Sequence, residues 1–376
     1  MRMDMPGRSS TFGSYVQTVL QLNRHNRLTI KLDNYINHSL AEMTMHMRYP
    51  DQLPQPPMYM QTWPDMVRNV TGLFIQNSTF LSRDVVLNAS ARIDYNIDAL
   101  QSELAKEQFS VFNYKVSNKY HKATKGINFS LQSRLSSSLL LNAETGYSER
   151  MPTISERFGY YLYNAYDGYD YIGNPDLKTE KSLYGRIGLS LTKKWFKMNL
   201  SQSVSYVTDY IMGQTNTTIP PMNFYTKGTR VYSNVPGAKL FSTDLQISVN
   251  PIDELSVFML TKYTRGQLNS GDPLPLMAPL SNVFAVSYQK NRWSFNAENQ
   301  MALKQERINL KYGESKTPSY SVFNLKASYH LMFSSNMFDL SIAVSNLLNA
   351  TYYEHLDWGK IYRPGRSFDF FIRYTY

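Results

Sequence analysis

The residues with the clearest chemical pattern are methionines concentrated near the start of the chain. Of the 18 methionines in the sequence, nine lie within the first 66 residues. They form alternating sets, one of which encloses a histidine: Met1, Met3 and Met5; Met43, Met45, His46 and Met47; Met58 and Met60. Side chains at every second position of a strand share one face, at intervals of about 6.6 Å. Thioether sulfurs are soft ligands that select Cu(I) over hard cations, so these sets predict a soft-metal site.

Two other interpretations of these methionines stay open. Methionine is an adaptable apolar residue that fills irregular gaps in a packed structure, and the same side chains can contact an organic ligand. The polar, proline-flanked surroundings at residues 45–50 make a lipid-facing role less natural. The chain contains no cysteine, which excludes disulfides, thiolate metal sites and cysteine nucleophiles.

A tyrosine-rich stretch at residues 160–171 is the second candidate binding element. Four of its side chains predict stacking on a flat siderophore or binding of a sugar, namely Tyr163, Tyr166, Tyr169 and Tyr171. Aromatic anchoring at a membrane interface explains part of this pattern equally well. The sequence shows no serine–histidine–acid or paired-carboxylate pattern, so we predict that the chain is not an enzyme.

The elements that carry these residues are predicted to be β-strands. Charged residues make up only 18% of the chain and aromatic residues 14%. The mean hydropathy is −0.41, and no run approaches the roughly 18 apolar residues of a membrane helix, so a helical membrane protein is excluded. The net charge of +10 comes from scattered lysines and arginines, which favours a mixed surface and no nucleic-acid partner.

Alternation of apolar and polar residues recurs along the chain, for example at residues 85–97 and 283–295. The connections alternate between short turns and long segments such as 40–66 and 150–180, and residues 97–108 are predicted to hold a short helical piece. Short periplasmic turns and long extracellular loops produce this alternation in outer-membrane proteins. The predicted fold is therefore all-β, a transmembrane antiparallel β-barrel in contact with outer-membrane lipid.

The last ten residues predict a final strand that faces lipid. One face carries apolar and aromatic side chains at alternate positions: Phe368, Phe370, Ile372, Tyr374 and Tyr376. A terminal aromatic residue is well placed at the membrane interface. The segment also resembles the C-terminal signal by which the barrel assembly machinery recognises bacterial outer-membrane proteins. An amphipathic strand of a soluble sheet is the alternative for this segment taken alone.

Counting strands predicts an incomplete barrel. We count about 15 strands, and a periplasmic C-terminus makes the first strand, at about residues 10–22, run from outside to inside. The count is then odd, whereas bacterial single-chain barrels have even numbers of strands. The prediction is about 15 strands of a 22-stranded transporter, with the methionine sets at the extracellular ends of the strands.

Three segments, taken in order, resemble TonB-dependent receptors. In residues 146–159 a strand ends in an Arg-x-Pro-Thr-x-x-Glu pattern that begins at Arg150. Residues 173–182 are similar to the family's Gly-Asn-Pro-x-Leu-Lys-Pro-Glu segment, with Thr179 in place of the usual proline. The stretch from Val344 to the C-terminus looks like the closing hairpin of these receptors. The resemblance covers most of residues 140–376.

The closing-hairpin pattern also contains Glu354 and His355, followed by Asp357. These three side chains look like a small metal cluster when they are taken alone. Their place in the pattern favours a structural role instead.

The resemblance implies active uptake of a scarce ligand across the outer membrane of a Gram-negative bacterium, driven by the TonB–ExbB–ExbD complex. The whole chain, residues 1–376, is expected to be the C-terminal part of the barrel, without the family's plug domain, TonB box or signal peptide. The methionine-rich region more loosely resembles copper receptors of this family. We therefore expect transported copper first, and an iron–siderophore chelate or haem next, with no intrinsic cofactor. A passive porin and a non-transporting remnant are the alternatives.

Overall fold

Strands dominate the computed structural model, which describes residues 2–46, 56–222, 225–333 and 336–376. Within these ranges one sheet contains 18 strands. They are β1 (Arg2–Asp4), β2 (Gly7–Gln21), β3 (Asn26–His46), β4 (Met58–Phe80), β5 (Val85–Leu100), β6 (Lys119–Arg134), β7 (Leu139–Arg150), β8 (Leu162–Asn164), β9 (Tyr169–Ile172), β10 (Glu180–Thr192), β11 (Phe196–Asn216), β12 (Thr229–Ile252), β13 (Leu255–Leu268), β14 (Ser281–Lys290), β15 (Trp293–Ala302), β16 (Tyr320–Phe333), β17 (Asn336–Ser345) and β18 (Ser367–Thr375). The helices of these ranges are α1 (Glu103–Ser110), α2 (Ile154–Phe158) and two 3₁₀ turns, Leu310–Tyr312 and Trp358–Lys360.

The sheet confirms the predicted all-β antiparallel fold. Three of the described strands, β1, β8 and β9, have four residues or fewer, and the other fifteen have nine or more. Fifteen long strands agree with the number counted from the sequence. The register between β2 and β3 is continuous from Gly7 opposite Ala41 to Gln21 opposite Arg27. A parallel pairing joins β9 to β12 at Thr229 and Asp170.

The helical piece predicted at residues 97–108 is present, but its boundaries differ. Strand β5 continues to Leu100, and α1 begins only at Glu103. Ser102 is the N-cap, because its hydroxyl accepts a hydrogen bond from the Ala105 amide at 3.2 Å. No helix in the described parts of the chain has the length and apolar character that a membrane crossing requires.

Strand β5 shows how alternation divides the two faces of the sheet. Its apolar residues Leu87, Ile93 and Tyr95 are exposed on one face. On the other face the Arg92 guanidinium lies 2.7 Å from a carboxylate oxygen of Asp33 and 2.6 Å from one of Asp94. An apolar face outside and a paired polar face inside is the arrangement that a membrane barrel requires.

Strands β3 and β4 contain an irregularity that matters for the site. Ser39 pairs with Met66, but Ala41 pairs with Trp63, and Met43 with Met60. The register therefore shifts twice by one residue within this short stretch. Such bulges re-aim side chains, and each single step exchanges the faces of the strand that follows.

The chain forms two compact units. The first comprises Met1–Ser130, Thr145–Tyr184 and Tyr206–Gly237, and the second comprises Leu131–Glu144, Gly185–Ser205 and Ala238–Tyr376. In the first unit a buried apolar core forms where α1, α2 and the strand ends meet, from Met66, Leu100, Ala105, Phe109, Phe158, Ile172 and Val231. In the second unit, Leu274, Ile308 and Tyr312 are buried within the long connections.

Candidate functional site: a thioether cluster

The structure brings together methionines from all three of the sets that the sequence singles out. Met45 of β3 lies between Met3 of β1 and Met58 of β4, as the direct partner of both. Met43 pairs with Met60 two positions further along β3. Directly opposed residues of an antiparallel pair share a face, as do residues two positions apart. All five thioethers therefore lie on one face of a three-stranded segment.

The five methionines differ in exposure. Met43, Met45 and Met60 are buried at 3%, 4% and 5% exposure, and they pack as one group, which we call the thioether cluster. Met3 and Met58 are about half exposed, beside Met45. The arrangement is a buried group of sulfurs with two further sulfurs at its open margin.

The remaining members of the methionine sets lie elsewhere. His46 occupies the opposite face of β3 from Met45, and its Nε2 is 3.4 Å from a carboxylate oxygen of Asp4. Met5 is exposed beyond the end of β1, and Met1 and Met47 fall outside the described residues. The histidine therefore does not join the thioethers. Within the described ranges, no group of three or more His, Cys, Asp or Glu side chains is placed to hold a metal ion.

Sequence reasoning missed Met222, which packs against the thioether cluster together with Tyr160. The amide of Met222 donates to a carboxylate oxygen of Asp170 at 2.9 Å. Burial raises the pKa of Asp170, while hydrogen bonds from Met222 and Thr226 oppose that rise. No alternating pattern surrounds Met222 in the sequence, so only the fold reveals its place.

A tyrosine hydroxyl fixes the segment that leads to Met222. Burial raises the pKa of Tyr161 to about 12, with the neighbouring Tyr160 and Asp170 adding to the effect. The Tyr161 hydroxyl therefore stays protonated and donates to the Pro220 carbonyl at 3.1 Å. Tyr161 therefore holds the backbone at Pro220, and Asp170 holds it at Met222.

Two of the four tyrosines predicted to stack on a ligand make contacts within the protein. Tyr171 is buried, and its hydroxyl donates to Asp167 at 2.6 Å. Tyr169 lies under the Arg230 guanidinium, whose carbon is 4.2 Å from the ring centroid. Tyr163 is exposed, and Tyr166 is half-buried with its amide bound to the Asn164 side chain. Tyr163 therefore keeps the accessibility that ligand contact requires.

The first two family-like segments meet each other in the structure. Thr153 and Glu156 form a capping box that starts α2, with mutual hydrogen bonds of 3.2 and 2.7 Å. The Gly173 amide donates to the Gly159 carbonyl at 2.6 Å. A Cβ at Gly173 would lie 2.6 Å from backbone atoms of Arg157 and Phe158. The glycine of the second segment is therefore required by its close approach to the first.

A buried carboxylate anchors this assembly to the sheet. The Asp98 side chain is fully buried, and Arg68 binds it through two hydrogen bonds of 2.6 and 2.8 Å. Arg157 of α2 reaches the same carboxylate at 3.1 Å. Burial lowers the pKa of Arg157, against the attraction of Asp98. One carboxylate thus joins β4, β5 and α2.

The Glu354, His355 and Asp357 group has a structural role, as its place in the closing hairpin indicates. His355 is buried, with its Nδ1 2.9 Å from the Thr317 hydroxyl and its Nε2 3.5 Å from Glu314. Arg363 binds Asp357 at 2.8 Å and Glu354 at 3.0 Å. Glu354 and Asp357 are therefore bound by an arginine of their own connection, and His355 by side chains of the connection before β16.

The last strand presents the apolar face that the sequence predicts. All five side chains of that face are exposed: Phe368, Phe370, Ile372, Tyr374 and Tyr376. Within β17 and β18, Phe370 pairs with Ile342 and Ile372 pairs with Leu340. The rings of Tyr374 and Phe338 lie 4.8 Å apart. Both strands therefore contribute to one continuous apolar surface suited to lipid.

The long antiparallel strands, the apolar outer face and the interlocked loop motifs define a barrel protein of the outer-membrane receptor class. The family described as TonB dependent receptor-like, beta-barrel matches residues 4–347. The chain therefore belongs to the TonB-dependent receptor family, whose members are outer-membrane proteins of Gram-negative bacteria.

Several solved structures of this class are similar to the chain. The copper transporter OprC has a TM-score of 0.78 at 19% identity, over 98% of this chain and 57% of that one. The FrpB iron transporter from Neisseria meningitidis (F3-3 variant) has a TM-score of 0.67 at 13% identity, over 97% and 54%. The ferric yersiniabactin uptake receptor FyuA from Yersinia pestis has a TM-score of 0.66 at 10% identity, over 99% and 53%.

These likenesses concern the fold. The chain spans little more than half the length of each of these three structures. Comparison with curated proteins gives no match.

Proposed function

We propose that the chain captures Cu(I) at the thioether cluster for uptake across the outer membrane. The observation that carries the proposal is the burial of Met43, Met45 and Met60 on one face of two neighbouring strands. These side chains come from two sequence sets, and they meet only because β3 and β4 pair in this register. An iron–siderophore chelate or haem is the next candidate cargo.

The chemistry of the cluster supports a soft, weakly hydrated ion. Thioethers are neutral and polarisable, and they bind Cu(I) in preference to magnesium, calcium or other hard cations. Met222 packs beside the cluster as a further sulfur, and the half-exposed Met3 and Met58 offer a route of entry next to Met45. The sulfurs lie on the face of β3 opposite to His46.

The comparisons give this cargo additional support. Of the three similar structures named above, the copper transporter has the highest TM-score.

Family membership implies energy coupling through TonB, and we extend this to the TonB–ExbB–ExbD complex as the source of energy for release. We also propose that the barrel assembly machinery recognises the exposed aromatic face of β18. The family match favours a receptor over the passive porin.

Packing is the competing explanation, and one observation favours it. Tyr160, which packs on the thioether cluster, also packs on the buried core of the first unit. Adaptable methionines commonly fill the gap between a sheet and the layer above it. A test must therefore separate the loss of sulfur from the loss of volume.

The test is titration of the protein in detergent with Cu(I), Fe(III)-chelate and Zn(II) under reducing conditions, against a competing Cu(I) chelator. The test variant combines Met43→Leu, Met45→Leu and Met60→Leu, since leucine preserves apolar volume to within a small change. A matched control combines Met259→Leu, Met301→Leu and Met332→Leu, three methionines of strands in the second unit.

We expect tight Cu(I) binding by the wild type and by the control. The test variant should bind at least about tenfold more weakly, while its unfolding transition stays close to that of the wild type. Equal Cu(I) binding by test and control variants, or none by the wild type, would assign the methionines to packing. Preferential binding of the Fe(III)-chelate would then make an organic chelate the better cargo.

A further inference from the structure

We propose that the outer end of the sheet in the second unit binds the phosphate group of an anionic lipid in the outer leaflet of the membrane. Three cationic side chains are gathered there, and we call them the basic rim: Lys239 of β12, Arg265 of β13 and Arg307 of the connection after β15. The proposal is independent of the copper proposal, which concerns residues of the first unit.

Strand pairing and one hydrogen bond bring the basic rim together. Phe241 is the direct partner of Arg265, and Lys239 lies two positions from Phe241 on the same face. Lys239 and Arg265 are therefore diagonal neighbours, about 7–8 Å apart, which is within reach of long side chains. The Arg307 guanidinium is anchored beside Arg265, because it donates a hydrogen bond of 2.6 Å to the Gly266 carbonyl. Three positive charges are thus gathered at one end of two neighbouring strands.

The basic rim has no counterion of its own. Within the described ranges of the chain, none of its three side chains forms an ion pair with a carboxylate, and the adjacent Glu306 pairs with Lys304 at 3.1 Å. Burial lowers the pKa of Arg307, and the positive charge of Arg265 lowers it further, while Tyr263 opposes the shift. A phosphate group offers the oxygens that guanidinium groups bind through two parallel hydrogen bonds, so it would relieve this repulsion.

The height of the basic rim in the membrane favours a lipid over a soluble anion. Strand β13 begins at Leu255 after a short turn, and Arg265 lies ten residues further along. Ten residues span about 33 Å, which at a strand tilt of about 40° gives a height of about 25 Å, the height of the apolar band of a membrane barrel. Arg265 therefore lies at the level where the headgroups of the outer leaflet begin.

The face that carries the basic rim also favours a lipid. Arg265 shares one face of β13 with Tyr263 and Met259. Met259 pairs with Phe284, whose side chain is exposed on the apolar outer face of the sheet. The exposed side chain of Phe241 lies opposite Arg265. Aromatic side chains next to positive charges suit the boundary between acyl chains and headgroups, so acyl chains can contact the rings while the phosphate binds the basic rim.

The test is native mass spectrometry of the protein in detergent, which counts the lipid molecules bound as lipid is added. Dioleoyl phosphatidic acid is the anionic probe, dioleoyl phosphatidylcholine is the zwitterionic probe, and glycerol 3-phosphate is the soluble phosphate ester. The test variant combines Lys239→Gln with Arg265→Gln, at two exposed residues. The matched control combines Lys290→Gln with Arg292→Gln, an exposed lysine and arginine at the opposite end of the same sheet. Unfolding curves establish that both variants are folded.

We expect phosphatidic acid to bind the wild type more tightly than phosphatidylcholine or glycerol 3-phosphate does. The test variant should bind phosphatidic acid at least about tenfold more weakly, because it loses hydrogen bonds to a charged group, and the control should change the affinity less than about twofold. The proposal is overturned if phosphatidylcholine binds equally well, or if the test and control variants weaken binding alike. Equal affinity for glycerol 3-phosphate would overturn it too, because a soluble anion would then be the ligand.

Discussion

Two buried ionic clusters, one in each unit, hold long connections by different means. In the first unit, Asp98 is bound by Arg68 and Arg157, whose guanidinium groups stay charged at any ordinary pH. In the second unit, Glu314 accepts hydrogen bonds of 2.7 Å from the amides of Asn309 and Leu276 and lies 3.5 Å from His355. The first cluster is held by two guanidinium groups on one carboxylate, and the second by two backbone amides and an imidazole ring on one carboxylate.

Buried carboxylates of the two units also differ in the direction of their pKa shifts. Burial raises the pKa of Asp167 and of Asp170 in the first unit, despite the hydrogen bonds they accept. Burial also acts to raise the pKa of Glu314, but hydrogen bonds from His355 and two amides outweigh it, so that the pKa is lowered. The pKa of a buried carboxylate therefore falls only where the hydrogen bonds to its charged form outweigh the effect of burial.

The largest expected effect tests the first cluster. Asp98→Ala leaves two buried guanidinium groups without their carboxylate, and breaking such a pair costs about 3–5 kcal/mol. We expect denaturant unfolding in detergent to show a loss of this size. Glu306→Gln, at an exposed pair with Lys304, is the control and should change little. A loss below about 1 kcal/mol for Asp98→Ala would mean that solvent reaches the cluster.

The second cluster should be less sensitive to a change of charge. Glu314→Gln keeps the size of the side chain but turns an amide nitrogen towards one of the two backbone donors. Leaving one buried donor unsatisfied costs about 1–3 kcal/mol, which the same unfolding measurement detects. A loss equal to that of Asp98→Ala would remove the distinction between the two clusters.

Removing the Thr317 hydroxyl, which contacts His355, should cause a smaller loss of folding stability. Thr317→Val removes the hydrogen bond to His355 Nδ1 while preserving shape, and we expect a loss of about 0.5–1.5 kcal/mol. Thr192→Val, at the end of β10 in the second unit, provides a control of the same chemistry. Equal effects of the two changes would show that the Thr317 contact contributes nothing specific.

The smallest expected effect is the dependence of folding stability on pH, which also separates the two kinds of carboxylate. The folded pKa of Glu314 lies below 4.5, so its contribution is present at neutral pH and is lost as the pH falls through that folded value. Asp170 has a raised folded pKa, so acidification through that pKa favours the folded state instead. On lowering the pH, the wild type should lose stability relative to Glu314→Gln and gain it relative to Asp170→Asn. Thermal unfolding over a pH series measures both differences, and parallel curves would contradict the opposite shifts.

The sheet was largely predictable from the sequence because its information is local. Apolar residues at every second position fixed the strands, and in β18 they also identified the exposed face. The predicted helix begins a few residues too early, because pairing with β4 continues β5 to Leu100, opposite Met66, and Ser102 then caps the helix.

The candidate site was predictable only in part because it depends on distant contacts. Alternation correctly grouped Met43 with Met45, and the same alternation sends His46 to the other face. Tyr171 looked available in the sequence, yet Asp167 and the fold around it bury the side chain. Met222 carries no local pattern, and 162 residues separate it from Met60, so its place follows from the tertiary fold alone.

The double register shift between β3 and β4 also limits which length changes the chain can tolerate. Each step moves the pairing by one residue, between Ser39 and Ala41 and again before Glu42. Deleting a single residue between Trp63 and Met66 would remove the extra residue that β4 holds there and leave Met58 and Met60 opposite Met45 and Met43. A deletion in the regular part of β4, at residues 67–79, has no bulge to absorb it and would exchange the faces of the strand beyond it. Among natural variants, single deletions should therefore be tolerated at the bulges and absent from the regular part of this strand.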